Sequence, residues 1–169
     1  SGAPDRIPVR GQRLTREADM IVYAGSLVNP ALLENAKPGC EIHDSARLHL
    51  DQVMDLMIPA VLAGQRVVRL HTGDPSIYGA IREQMDRLDA AGVEYEVCPG
   101  VSSFCGAAAA LKKEYTLPGV SQTLILTRME GRTPVPEGER IRALAAHGAS
   151  MALFLSASML EKLQAELLA

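Results

Sequence analysis

At 169 residues, 47% hydrophobic and 22% charged, the chain has the length of one ordinary domain and enough apolar side chains for a real core. A formal net charge of −3 leaves no electrostatic footprint for nucleic acid, and no apolar run approaches the ~20 residues of a membrane span. Cys40, Cys98 and Cys105 are odd in number and lack CxxC spacing, which argues against a disulfide framework or structural zinc and for free thiols in a reducing cytoplasm. The start, Ser1 to Arg6, has no signal-peptide h-region. With no Trp and only two Phe, the core must be aliphatic and rich in Met.

Residues 1–11 read as loop, and Gln12 to Ala18 as a short helix. Asp19 to Ala24 is an apolar strand ending at Gly25-Ser26. Asn29-Pro30 opens a helix through Asn35, with Pro at its first position. Cys40 to His43 is a short strand. Leu48 to Ala63 is an amphipathic helix with Leu50, Val53, Met54, Met57 and Val61 on its apolar stripe, and Pro59 should kink it or split off its last turn. Arg66 to Leu70 is a buried strand, Gly73-Asp74-Pro75 breaks it, and from Ile77 the spacing of Ile77, Ile81, Met85 and Leu88 predicts a helix.

Val93 to Val97 alternates like a strand, Cys98 to Ser103 is a loop, and Phe104 to Lys112 is a small-residue helix. Gln122 to Thr127 is a strand, Arg128 to Gly138 a long polar loop, and Glu139 to His147 a helix. Ser150 to Leu155 is a further strand and Ser158 to Leu168 a last helix. This alternation predicts an α/β fold: a mainly parallel sheet with helices on both faces.

In open parallel sheets ligands bind beyond the carboxyl ends of the strands. Two loops stand there, His71 to Gly79 and Cys98 to Ser103. Gly73 lets backbone approach a ligand, and Asp74 can accept hydrogen bonds from a ligand or cap the next helix. Ser102 and Ser103 can likewise contact a ligand or cap a helix. His43, His49, His71 and His147 are scattered, and no nucleophile–base pair stands out.

Four stretches carry a resemblance: Ile21 to Val28, His71 to Gly79 with the later Pro99-Gly100-Val101-Ser102-Ser103, Leu124 to Pro136 with its Thr-Arg-x-Glu-Gly-Arg-Thr-Pro-Val-Pro core, and Ala152 to Ser156. Together they are similar to the tetrapyrrole (corrin/porphyrin) methylase family, in its precorrin-4 branch, over nearly the whole chain. The resemblance implies an S-adenosylmethionine-dependent methyltransferase of cobalamin biosynthesis, methylating precorrin-4 at C11 and releasing S-adenosylhomocysteine. It implies a homodimer with no resident metal, and a donor held in a cleft between two α/β domains. On this reading residues 1–148 are the N-terminal domain and 149–169 the start of the second. The family's first strand and most of its C-terminal domain are then missing.

Position by position, the resemblance puts the donor on Gly73, Asp74, Ile77, Ser102, Ser103, Ala152 and Leu155. Arginine's planar fork suits the carboxylates on a tetrapyrrole rim, so Arg128 and Arg132 are the leading substrate residues, with Tyr23 and Ser26 beside them. The alternatives are a sister enzyme acting on precorrin-2, precorrin-3B or uroporphyrinogen III, or an inactive fragment that only binds nucleotide or dimerises. An ordinary dinucleotide-binding domain is disfavoured because GxGxxG is absent.

Overall fold

The computed structural model describes residues 2–131 and 133–168, without the side chain of Ser26. It is an α/β fold with parallel sheets. The chain forms two compact units, Ser1–Ala107 and Ala108–Ala169.

In the first unit α1 (Val9–Glu17) leads into β1 (Met20–Tyr23). The helix expected after Asn29-Pro30 is a 3-10 helix, Pro30–Asn35, with the Asn29 side chain accepting from the Ala31 N–H at 3.0 Å. Then come β2 (Glu41–Asp44), α2 (Leu50–Leu62), β3 (Val67–Leu70) and α3 (Arg82–Ala90). The strand order is β2-β1-β3, all parallel, with Met20 opposite Glu41 on one side and Val67 on the other.

α2 explains the packing. Its Val53, Met57 and Ala60 bury against Met20 and Val22 of β1, while Met54 on its other flank buries with Leu88 and Val93. One helix with two apolar flanks thus joins the sheet to α3. The core is aliphatic and Met-rich, as the composition requires: Met20, Met54 and Met57 are buried in it. α2 runs unbroken through Pro59, so the last turn is not split off.

Two expected elements differ. α3 starts at Arg82, not Ile77, because Tyr78 and Ala80 hold left-handed backbone (φ 55° and 50°) that no helix accommodates. Val93 to Val97 is irregular and is not a strand. Gly92 (φ 65°) turns the chain, and the Val93 N–H is anchored on the Leu88 carbonyl at 3.0 Å. Beyond it the backbone of 94–97 has no hydrogen-bond partner among the described residues. β-prone composition makes a strand only where a neighbour supplies the ladder.

α4 (Ser103–Leu111) carries the chain into the second unit. There β4 (Leu124–Arg128) pairs in parallel with β5 (Ser150–Phe154), Leu124 opposite Ser150. Between them lie a long loop and the short α5 (Ile141–Ala145), and α6 (Leu160–Leu168) follows. The limit expected at 148/149 falls between the two strands of this second sheet.

Candidate functional site

At the carboxyl end of β3 the loop 71–81 is fastened to the loop 98–102 by Asp74. Its Oδ2 accepts the Gly100 N–H at 3.0 Å. Its Oδ1 accepts the Ser76 N–H at 2.9 Å and the Ser76 hydroxyl. These bonds, the Ser76 hydroxyl first, hold the Asp74 carboxyl below the usual carboxylate pKa against a partial desolvation. The Asp74 carbonyl also accepts the Ile77 N–H at 3.2 Å, closing a turn ahead of Tyr78.

The two loops touch through backbone, and glycine makes this possible. A Cβ on Gly100 would stand 2.0 Å from the Gly73 carbonyl oxygen. Gly73 itself has φ 67°, and a Cβ there would meet the Ser102 Cα at 3.4 Å. Ser102 is only 5% exposed, and its hydroxyl has no hydrogen-bond partner among the described residues. A buried hydroxyl without a protein partner is costly unless a water or a ligand pairs it. Ser103, next to it, is exposed at the start of α4.

Behind these loops is a hollow of about 380 Å³, lined by Val67 to His71 on one wall and Val93 to Gly100 on the other. His71 lines it, and burial together with the Arg69 charge pushes its pKa down to about 4, so the imidazole is neutral near pH 7. Arg69 is spent on structure: its Nη1 donates to the Val22 carbonyl at 3.0 Å and its Nε to Gln84 Oε1 at 3.2 Å. Tyr23, half-buried at the end of β1, stands opposite Leu70. Its carbonyl accepts both the N–H (3.0 Å) and the hydroxyl (2.8 Å) of Ser45. Ser26 lies in the 3-10 turn Gly25–Leu27, and its side chain is outside the described residues.

In the second unit Ala152 sits within β5, half-buried. Leu155, just past the strand, is 69% exposed and held at φ 55°. A bulky residue in left-handed backbone costs on the order of 1–2 kcal/mol and marks a constrained corner. Ser156 follows. It is 3% exposed, accepts the Met129 N–H at 3.0 Å and donates to the Phe154 carbonyl at 2.7 Å, so it ties the exit of β4 to the exit of β5. Arg128 folds back on its own loop, donating to the carbonyls of Met129 (3.2 Å), Thr133 (3.0 Å) and Pro134 (3.0 Å). Three of its five N–H donors are thereby used. Arg132 lies outside the described residues.

Gly73, Asp74, Ile77 and Ser102 are thus gathered in one unit, and Ala152, Leu155 and Arg128 in the other. Sequence reading passed over Gly100, Ser76 and Ser156 as individual positions. The Asp-Pro-Ser order was the available signal for Ser76, since an aspartate commonly accepts from the residue two places on in such turns. Among the described residues no group of three His, Cys, Asp or Glu side chains is placed to hold a metal ion, and no helix is long and apolar enough to cross a membrane.

Parallel strands with clasped glycine-containing loops at their carboxyl ends define a small-molecule-binding α/β protein. The comparisons with known proteins narrow this class. The whole chain, residues 1–169, matches the tetrapyrrole (corrin/porphyrin) methylases, and it belongs to that family. It is 54% identical over 167 residues to the cobalt-precorrin-4 C(11)-methyltransferase of Methanocaldococcus jannaschii, covering 99% of this chain and 64% of that protein. It is 48% identical over 168 residues to the precorrin-4 C(11)-methyltransferase of Rhodococcus erythropolis, covering 99% and 68%. A solved cobalt-precorrin-4 methyltransferase of cobalamin biosynthesis superposes with a TM-score of 0.95 at 47% identity, over 99% of this chain and 70% of that one. The chain therefore spans about two thirds of the length of these relatives.

Proposed function

We propose that the chain belongs to an S-adenosylmethionine-dependent methyltransferase of cobalamin biosynthesis that methylates precorrin-4, or its cobalt form, at C11. The observation that carries this reading is the Asp74 clasp, which sets the backbone of Gly73 beside the buried, unpartnered hydroxyl of Ser102. The names and identity of the relatives support the substrate.

The residues present fit the donor. Gly73 offers backbone that a ligand can approach closely, Ser102 a free hydroxyl, and Ile77 a half-buried apolar surface. Bound there, the donor supplies a methyl group already activated on a sulfonium, with the thioether as leaving group. The protein's part is then to orient and to exclude water. Asp74 acts as a positioning residue, fixing the two loops, while Ser102 and Ser103 hydrogen-bond the polar end of the donor. Ala152 and Leu155 are further donor residues on this reading. Tyr23, Ser26, Arg128 and Arg132 bind the tetrapyrrole, the arginines through its rim carboxylates. The protein works as a homodimer in the cytoplasm.

Calorimetry with S-adenosylhomocysteine tests the donor site: micromolar binding that weakens at least tenfold in Ser102→Ala supports it, and no binding refutes it. Mass spectrometry after incubation with S-adenosylmethionine and each tetrapyrrole in turn tests the substrate. One added methyl on precorrin-4 alone is the expected result, and methylation of uroporphyrinogen III instead would assign a sister activity.

A further inference from the structure

Arg128 closes β4, at the end of the strand where ligands bind in parallel sheets. The residue after it is fixed by the core: Met129 is 2% exposed, and Ser156 accepts its N–H. The chain then leaves the core and comes back. At Thr133 and Pro134 it is exposed, so packing does not hold the return. The Arg128 guanidinium does. Its Nη1 donates twice, to the carbonyls of Met129 and Thr133, and its Nη2 donates once, to the carbonyl of Pro134.

Three neutral carbonyls leave the positive charge without a counter-charge. Arg10, Arg66, Arg82 and Arg87 each pair with a carboxylate. Arg128 pairs with none among the described residues, although exposed Glu130 is two places away. It is half-buried, so water screens its charge only in part. Two donors remain, the Nε–H and the second Nη2–H. Nε–H and Nη2 share one edge of the planar group, and consecutive carbonyls on Nη1 and Nη2 suit the edge next to it. Two parallel N–H groups on one edge are the geometry a carboxylate accepts bidentately.

We propose that Arg128 both holds the loop after β4 in place and offers its Nε–Nη2 edge as a bidentate seat for one carboxylate of the acceptor. The inference rests on the reading of the acceptor as a tetrapyrrole and deepens it: a rim bearing several carboxylates is gripped here through one of them. The seat is preorganised, because the loop carbonyls fix the guanidinium before the ligand arrives. Lysine cannot replace it. An ammonium has three donors and no planar edge, so it serves the loop or the ligand but not both.

NMR with 15N-labelled arginine tests this on the 169-residue chain, following the Nε–H signal that disappears in Arg128→Lys. Uroporphyrin III, a stable tetrapyrrole polycarboxylate, is the probe. The expected result is a saturable downfield shift of the Arg128 signal. In Arg128→Lys, porphyrin affinity by fluorescence titration falls about tenfold or more. In the same variant the heteronuclear NOE drops at the Gly131 and Thr133 amides and stays high at Met129, which Ser156 holds independently. The proposal is overturned if the Arg128 signal stays in place while the porphyrin binds, if the porphyrin does not bind, or if Arg128→Lys keeps either the affinity or the loop order. Methyl transfer fails separately: a chain that binds no S-adenosylhomocysteine yet shifts Arg128 on the porphyrin keeps this seat and loses the donor site.

Discussion

Replacing Asp74 by alanine deletes three hydrogen bonds at once: one to the Gly100 N–H, two to Ser76. A hydrogen bond to a charged group contributes about 1.5–3 kcal/mol when desolvated. This carboxylate is half-exposed and regains water in the unfolded chain, so about 1 kcal/mol per bond is the better figure, and the total loss is about 2–3 kcal/mol. For a chain of this size that lowers Tm by roughly 5–10 °C. Asp74→Asn keeps one acceptor but points an N–H₂ at a backbone N–H, so its cost is intermediate, about 1–2 kcal/mol. The chain has no Trp, so urea unfolding is followed by far-UV circular dichroism. Ser76→Ala alone removes the hydroxyl bond and costs about 0.5–1 kcal/mol, but in the Asp74→Ala background it costs nothing. A loss under about 0.5 kcal/mol for Asp74→Ala, or full additivity of the pair, would refute the clasp.

Three further outcomes follow from the same geometry. Gly100→Ala drives a Cβ to 2.0 Å from the Gly73 carbonyl oxygen, a backbone atom that cannot rotate away. It should destabilise the chain by more than about 3 kcal/mol in the urea assay, against less than 1 for Gly131→Ala, whose Cβ meets open space. Ser156→Ala orphans the buried Met129 N–H and should cost about 2 kcal/mol, with faster amide exchange at Met129 as its specific mark. His71 titrates with its folded pKa depressed to about 4 from 6.5. The unfolded chain therefore takes up a proton that the folded one refuses, so stability is intact above pH 6.5 and falls between about 6.5 and 4. Allowing for its residual contact with water, the loss is about 2 kcal/mol, and His71→Gln should flatten that part of the pH profile. Asp74 and Asp19, whose carboxyl pKa values are lowered, release their contribution only at lower pH, through their folded values below 3.8, so the two windows separate.

The parallel α/β alternation was legible because it rests on local signals. Ile21 and Val22 are fully buried in β1, and the Val53, Met54 and Met57 stripe faces the core as its helical spacing requires. What was not legible depends on atoms far away in sequence. Val93 to Val97 has strand composition but is not a strand here, because no neighbour among the described residues supplies its ladder. Ile77 has helical spacing with Ile81 and Met85, yet the left-handed backbone at Tyr78 and Ala80 overrides it. The same turn is closely packed, and a Cβ on Gly79 would meet the Pro75 carbonyl oxygen at 2.1 Å. No propensity scale registers a contact of that kind.

The site was legible at the level of loops and not of atoms. Asp74 is singled out by the sequence as a ligand-binding carboxylate or a cap. Its oxygens accept the Gly100 and Ser76 donors, so it fastens the two loops whatever else it contacts. This changes what a substitution at Asp74 reports. A ligand-contacting carboxylate would leave stability untouched and weaken binding, whereas a fastener lowers stability and binding together, because releasing Gly100 also frees Ser102 from its place beside Gly73. Ser102→Ala is the complementary variant: its hydroxyl has no partner among the described residues, so removing it should leave the urea midpoint unchanged or slightly raised while S-adenosylhomocysteine affinity falls tenfold or more. If Ser102→Ala instead loses about 1 kcal/mol of stability with affinity intact, the hydroxyl serves the fold, and the donor does not rest on that serine.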